Sequence, residues 1–397
     1  MTYTITEAKL RIAKLSKLTA PASSMPEDLS RAIDPDIRVS GDYPYYRLDL
    51  LLDNQPVSWC GVVDFQQQIG TACVRMGGIA GVGTHDDFRF RGYSRRVMLN
   101  ALRWMCQQGF DATMLYGIAG YYPRFGYAEA FPDTQHIMAV RDAERVAHGR
   151  YRVVEFTAEY LEQLLAIFAA NNAGRTGVTR RETPYWTHFP SGLHWGSQAQ
   201  VKLLLDTRKR FAGYFVHDAG MENEILEVGY TSSTVFSEML RVIAAHVWST
   251  RAEEIHFHLP DDHTFIRYCR NFGLSTRQNY RRDGGAMVRL LNCASTLCKL
   301  APLLATRVSG TGQLTIYTNL DSVGLAWSGS RFDIGAPFAT GAHVRLPQWC
   351  LAQLLYGYLG ADSPAFDGII TGTPNGRTLL TQLFPQHTHY HYLVDKF

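Results

Sequence analysis

The stretch Val82–Arg96, VGTHDDFRFRGYSRR, holds the residue types that grip a polyphosphate. Arg89, Arg91, Arg95 and Arg96 bring positive charge, and Gly92 permits close backbone approach. An amphipathic helix should follow, because Met98, Ala101, Leu102 and Met105 fall on one helical face, with Gly109 at its stop. Backbone N–H groups at a helix start have no partners within the helix and lie at the positive end of its dipole. Together these features predict a pyrophosphate site.

Other reactive-looking clusters are weaker. His256 and His258, followed by Asp261, Asp262 and His263, miss the H-x-H-x-D-H metal spacing by one residue. Satisfied or surface histidines are the better reading. His387, His389 and His391 alternate and are expected to line a terminal arm rather than hold a metal. Arg208–Arg210 and Arg281-Arg282 read as solvated turns. Cys60, Cys73 and Cys106 lie in apolar stretches and read as core.

The elements that must position the loop are legible around it. Tyr46, Leu48, Leu50 and Leu52 alternate as a strand, Asp53–Pro56 reads as a turn, and Val57–Phe65 continues as a strand. A strand over Ala72–Thr84 carries several glycines and must tolerate a bulge or close backbone approach. Ala112–Tyr116 is a short apolar strand, followed by GIAGYYPRFGYAEAF. A second unit starts near Tyr151, with helices at Leu161–Ala170 and Ser237–Ser249 and strands at Val201–Leu205, Phe211–His217 and Glu254–Leu259. A third starts near Met287, with alternation over Gly312–Thr318 and Gly324–Ile334 and helices from Pro347 to Tyr358 and over Thr378–Phe384. A short helix is predicted over Thr6–Leu18.

The 397 residues suggest two or three domains at roughly 150 residues each. Hydrophobic residues at 46% make long disorder unexpected. A net charge of +3 is too close to balance for a non-specific nucleic-acid binder. Seven cysteines without a C-x-x-C pair fit neither structural zinc nor a disulfide framework. The first 20 residues lack the apolar segment of a signal peptide, and no run approaches the roughly 18 apolar residues of a membrane helix. A soluble, reducing, cytoplasmic setting is expected.

Strand, basic glycine loop, helix, strand and aromatic segment, in this order, resemble the GNAT superfamily of N-acetyltransferases. Arg89-x-x-Gly92-x-Ser94 is similar to its acetyl-CoA loop, with Ser at the last small position. THDDFRFRG resembles the T-H-P-x-Y-R-x-R-G signature, with Asp86 and Phe88 as departures, and YYPRFGY resembles F-Y-x-R-F-G-Y. A second α/β unit without a phosphate loop, a small α+β unit and a terminal D-x-F (Asp395-Lys396-Phe397) resemble the enhanced intracellular survival (Eis) type. The resemblance implies a mixed α/β fold in three domains. They are a catalytic GNAT domain (1–148), a degenerate GNAT-like domain (149–287) and a sterol-carrier-protein-like α+β domain (288–397).

It also implies acetyl-CoA as co-substrate, held by Val82, Gly83, Thr84, Arg89, Phe90, Arg91, Gly92, Tyr93 and Ser94. By the same resemblance, the α-carboxylate of Phe397 is the general base and Tyr122 protonates the leaving thiolate. Direct transfer to a primary amine is expected, the acceptor being aminoglycoside-like, a polyamine or a lysine. Asp86 and Asp87 could attract that amine or cap a loop. The resemblance adds a homo-oligomer, a hexamer, and calls for neither metal, nucleic acid nor membrane. A lipid-binding protein or a non-catalytic acyl-CoA sensor are the alternatives.

Overall fold

The computed structural model describes residues 29–397, except 119, 144–145, 147–150, 195 and 282. The helix expected over Thr6–Leu18 lies outside the described residues. Three mixed or antiparallel sheets organise the rest.

The chain opens with β1 (Ile37–Asp42), β2 (Tyr45–Leu52), β3 (Gln55–Ile69) and β4 (Ala72–Thr84). Asp53 and Asn54 both have positive φ, so a two-residue turn joins β2 to β3 and pairs Leu52 with Gln55. Helix α1 (Tyr93–Gln107) follows, then β5 (Ala112–Gly117), β6 (Ala128–Phe131) and β7 (Asp133–Ala139). Next come β8 (Arg152–Glu155), α2 (Leu161–Asn171), β9 (Thr179–Arg180), β10 (Ala199–Leu205), β11 (Phe211–Asp218), β12 (Glu224–Tyr230), α3 (Phe236–Ser249), β13 (Glu254–Phe257) and β14 (Ser275–Asn279). The last stretch holds β15 (Gly285–Leu290), α4 (Cys293–Ala305), β16 (Thr311–Tyr317), β17 (Ser322–Ser328), β18 (Arg331–Gly335), β19 (His343–Arg345), α5 (Gln348–Leu355), β20 (Thr371–Gly372) and α6 (Pro374–Leu383).

The first sheet runs β1-β2-β3-β4-β5-β15-β6, with β9 on β3, and the second runs β14-β7-β13-β12-β11-β10-β8. The third runs β18-β17-β16-β19-β20. The divisions expected at 148/149 and 287/288 therefore do not follow the sheets. Strand β7 pairs with β13 and β14 in the second sheet, while β15 pairs with β5 and β6 in the first. Alternation reports which face of a strand is buried, not which edge it joins.

The first sheet is covered on both faces. On one, Val97, Met98, Ala101, Leu102 and Met105 of α1 pack with Leu48, Leu50, Val62 and Leu115. On the other, Leu297, Leu300 and Leu304 of α4 and Leu351 and Leu355 of α5 pack with Val74, Met76, Met114 and Val288. The second sheet holds its own core, Leu203, Phe215, Leu226, Ile243 and Phe265 among its members.

Candidate active site

The parallel pairing of β4 with β5 covers only Met76–Gly78 against Ala112–Met114. Beyond Gly78 the two strands part, and β4 swings through an irregularity opposite Trp59–Gly61, with Gly81 at φ +55°. The displaced end of β4 is fixed from the other side. Ser58 Oγ donates to the Gly83 carbonyl at 2.8 Å and lies 2.8 Å from Thr84 Oγ1, and the His85 N–H donates to the Val57 carbonyl at 3.0 Å.

Helix α1 begins at the mouth of this gap. Gly92 is its N-cap at φ +80° and makes no side-chain cap. A side chain at that φ is disfavoured, which is the local reason for glycine. Phe90, two residues earlier, is a fully exposed bulky residue at φ +62°. Strain of that kind persists where the loop shape itself is needed. A cleft of about 740 Å³ opens here, lined by Val82, Gly83, Thr84, Arg89, Phe90, Gly92, Tyr93 and Ser94. It thus gathers the residues expected there apart from Arg91, whose guanidinium lies 5.6 Å over the Phe88 ring.

Arg95, Tyr121 and Arg124 complete the wall. The Tyr121 and Ser94 hydroxyls hydrogen-bond each other, tying the segment after β5 to the start of α1. Arg96 turns away from the cleft. It pairs with Asp34 at 2.5 Å and Asp36 at 2.6 Å, so its charge is already neutralised. Asp86 pairs with Arg89 at 2.8 Å.

Tyr122 and Phe397 flank the gap from opposite faces of the sheet. Gly117 leaves room for the Tyr122 ring, since a Cβ there would lie 2.3 Å from Tyr122 Cδ2. Burial pushes the Tyr122 phenol up to about 12, so it keeps its proton at neutral pH. On the other face, a Cβ at Gly78 would lie 2.7 Å from three ring atoms of Phe397. The Phe397 ring also meets Phe65 and Tyr116, at centroid distances of 5.5 Å and 6.1 Å.

The terminal segment is anchored by a buried ion network. Arg181 donates to Asp395 at 2.9 and 3.0 Å and to Glu227 at 3.0 and 2.6 Å, and Tyr214 donates to Glu227 at 2.6 Å. The Arg181 guanidinium lies 3.6 Å from the Phe168 ring centroid and 4.7 Å from that of Trp186. Burial pushes the Asp395 and Glu227 carboxyls up against the pull of Arg181. Burial also lowers the pKa of Lys396, whose ammonium lies 5.0 Å over the Tyr116 ring. Sequence reasoning found no sign of Arg181 or Glu227, and it placed Tyr121 and Lys396 inside motifs without giving them a role. The local signals were the YYPRFGY segment for Tyr121 and the spacing of Asp395 from Phe397 for the terminal residues.

Of the histidines set aside as metal ligands, His256, His258, His387, His389 and His391 have protein partners, whereas neither ring nitrogen of the buried His263 has a hydrogen-bond partner among the described residues. Glu224 takes His256 Nδ1 at 2.8 Å and His258 Nε2 at 2.5 Å. His387 Nε2 lies 2.9 Å from Thr176 Oγ1, and His391 Nδ1 lies 2.9 Å from the Gly177 carbonyl. Among the described residues, no three such side chains are grouped to hold a metal ion. No helix among them is long and apolar enough to cross a membrane. The Cys60 thiol is fully buried and pushed up to about 12, which suits a core residue and not a nucleophile.

Residues 45–130 match the family of the acetyltransferase (GNAT) domain. The chain carries a GNAT acetyltransferase domain and is an acetyl-transferring enzyme, of a class that draws on acetyl-CoA and acts on small-molecule or protein amines. Its fold is shared with a conserved protein from Enterococcus faecalis V583, described as a probable N-acyltransferase, at 17% identity and TM-score 0.73, covering 89% of this chain and 90% of that one. It is shared too with a GCN5-related N-acetyltransferase from Anabaena variabilis ATCC 29413, at 15% identity and TM-score 0.69, covering 97% of each chain. Eis1 from Mycobacterium abscessus is similar at 14% identity and TM-score 0.61, over 100% of this chain and 99% of its own. No curated protein gives a significant sequence match.

Proposed function

We propose that the protein transfers the acetyl group of acetyl-CoA directly to a primary amine, with the Phe397 α-carboxylate as base and Tyr122 as acid. The observation that carries this reading is the seat of Phe397 on Gly78, where β4 and β5 part, beside the cleft that opens α1. Val82, Gly83 and Thr84 would line the pantetheine arm. Arg89 and the N–H groups from Phe90 to Ser94 would face the pyrophosphate, where Gly92 leaves the helix start uncapped, and Arg91 would have to leave the Phe88 ring to join them. Bound there, the co-substrate supplies an activated acyl group.

The chain's own groups then move the protons. A primary ammonium must lose one before it can attack, and the Phe397 carboxylate takes it, directly or through water. A free α-carboxylate has a pKa of about 3.5, so the reading requires burial to raise its basicity; Gly78, Phe65 and Tyr116 seat the ring that carries it. The Tyr122 phenol, kept protonated by burial, gives its proton to the departing thiolate from the other face. The backbone N–H of Val82 or Thr84 can polarise the carbonyl as a fixed dipole.

The same reading takes residues 149–287 as a degenerate GNAT-like domain and 288–397 as a sterol-carrier-protein-like domain. It also takes the assembly as a homo-oligomer, a hexamer. The end-to-end likeness to Eis1 supports the domain order. The decisive experiment adds residues after Phe397 and measures thiol release from acetyl-CoA with a panel of amines. Turnover should nearly vanish while CoA affinity holds. An extended chain that turns over at full rate removes the terminal carboxylate from the mechanism.

A further inference from the structure

Two cavities of about 120 Å³ and 260 Å³ border the terminal residue, and both are walled by Tyr45, Val63, Pro190, Lys396 and Phe397. Ala80 of β4 lines the larger one, two residues from Val82 of the cofactor cleft, so the cavities are where an acceptor meets the acetyl group. Their charge is unusual for an enzyme of cationic substrates. The acids that line them, Asp64, Glu182 and Asp395, are each already paired with an arginine. Asp64 holds Arg75 at 2.6 Å, Glu182 holds Arg180 at 2.5 Å, and Asp395 holds Arg181 at 2.9 Å. Lys396 lines both cavities, but its ammonium lies by the Leu193 carbonyl at 3.4 Å and over the face of Tyr116, residues that line a neighbouring cavity. Among the described residues, no lining side-chain acid is left free of an arginine to receive a second ammonium group.

The remaining surface is aromatic. Tyr43 and Tyr185 meet edge to face at 4.3 Å at the mouth, and Pro44, Tyr45, Trp186 and Pro190 continue the wall. Flat rings of this kind stack on a planar apolar body. A polycation would bring second and third ammonium groups to a wall whose acids are already held by arginines, and desolvating those charges with no free anion to receive them is disfavoured. From this we infer that the acceptor is an arylalkyl monoamine: one primary ammonium for the Phe397 carboxylate, carried on a flat apolar group that lies among Tyr43, Tyr45, Tyr185 and Trp186. The inference rests on the acetyl-transfer reading and selects among its acceptors. The arginine-paired acids exclude polycations, and the aromatic mouth selects the body.

The test compares 2-phenylethylamine and tryptamine with spermidine and kanamycin on the full chain, reading thiol release from acetyl-CoA. The arylalkylamines should show kcat/KM at least about tenfold higher. Arg180→Ala, which frees Glu182, should narrow that gap by about tenfold by admitting the polycations, and Tyr185→Ala should raise KM for tryptamine with kcat kept. Spermidine or kanamycin turned over as well as tryptamine would overturn the inference, as would an Arg180→Ala variant with an unchanged preference. Thiol release from no amine at all, with CoA still bound, would instead overturn the transfer reading. Calorimetric titration of tryptamine against spermidine then still decides the pocket, and tighter spermidine binding refutes it.

Discussion

Asp395→Asn isolates the anchoring of the terminal segment from the chemistry. The Asp395 and Arg181 side chains are 2% and 0% exposed, so solvent does not weaken their pairing. Asp395 accepts two N–H groups of Arg181, at 2.9 and 3.0 Å. An amide can accept one of them, but its NH₂ then faces the other N–H donor. One charge-assisted bond, worth roughly 1.5–3 kcal/mol, is lost, and the opposed donors add to that. Arg181 retains Glu227, which spares it the full cost of an unpaired buried charge. A net loss of about 3 kcal/mol raises the undocked fraction of the terminal segment by roughly 150-fold. Removal of Phe397 by a carboxypeptidase, measured by mass spectrometry, should accelerate by up to that factor. Acetyl-CoA affinity should stay within about twofold, since the cleft shares no residue with the network. An unchanged carboxypeptidase rate would refute the claim that Asp395 seats the terminus.

Further perturbations probe the other parts. Gly78→Ala sets a Cβ 2.7 Å from the Phe397 ring, so the ring must retreat by nearly 1 Å; turnover should fall by about 10² with CoA binding intact, and a wild-type rate would detach the ring from the active geometry. At Gly92 an added Cβ meets nothing within 4 Å, so Gly92→Ala tests backbone conformation alone; calorimetry should show CoA affinity reduced roughly fivefold from about 1 kcal/mol of αL strain. Burial alone would raise the Glu224 carboxyl, but its bonds to His256 and His258 outweigh burial and bring it down to about 2. Its contribution to stability is therefore present above pH 4.5 and lost as pH falls toward 2, whereas that of His256, whose pKa is raised, is present below 6.5 and fades as pH rises. Thermal melts of Glu224→Gln should show the largest deficit between about pH 4.5 and 6.5, and a pH-independent deficit would count against the ion pairing.

The phosphate loop and its flanking elements were legible because their signals are local. The expected strand Ala72–Thr84 coincides with β4, and Gly109 does end the helix region, at φ +76°. Strand β12 gives no alternation because both of its faces are buried, so periodicity has nothing to report. Pro302 inside α4 disguises that helix, since proline interrupts the usual ladder. Arg96 reads as a phosphate ligand from its neighbours in sequence, but Asp34 and Asp36, some sixty residues away, claim it. Arg181 is silent for the same reason, with partners 46 and 214 positions distant.

The exchange of strands between sheets bears on how the chain is made. Strand β5 emerges with one edge bare, and β15, the strand that covers it, begins some 170 residues after Gly117. At typical synthesis rates that edge waits on the order of ten to thirty seconds on the ribosome. An apolar, unpaired β-edge is a template for wrong partners throughout that interval. Fragments that stop before Gly285 should be aggregation-prone rather than small working acetyltransferases, and chaperone demand should peak before the last third of the chain is translated.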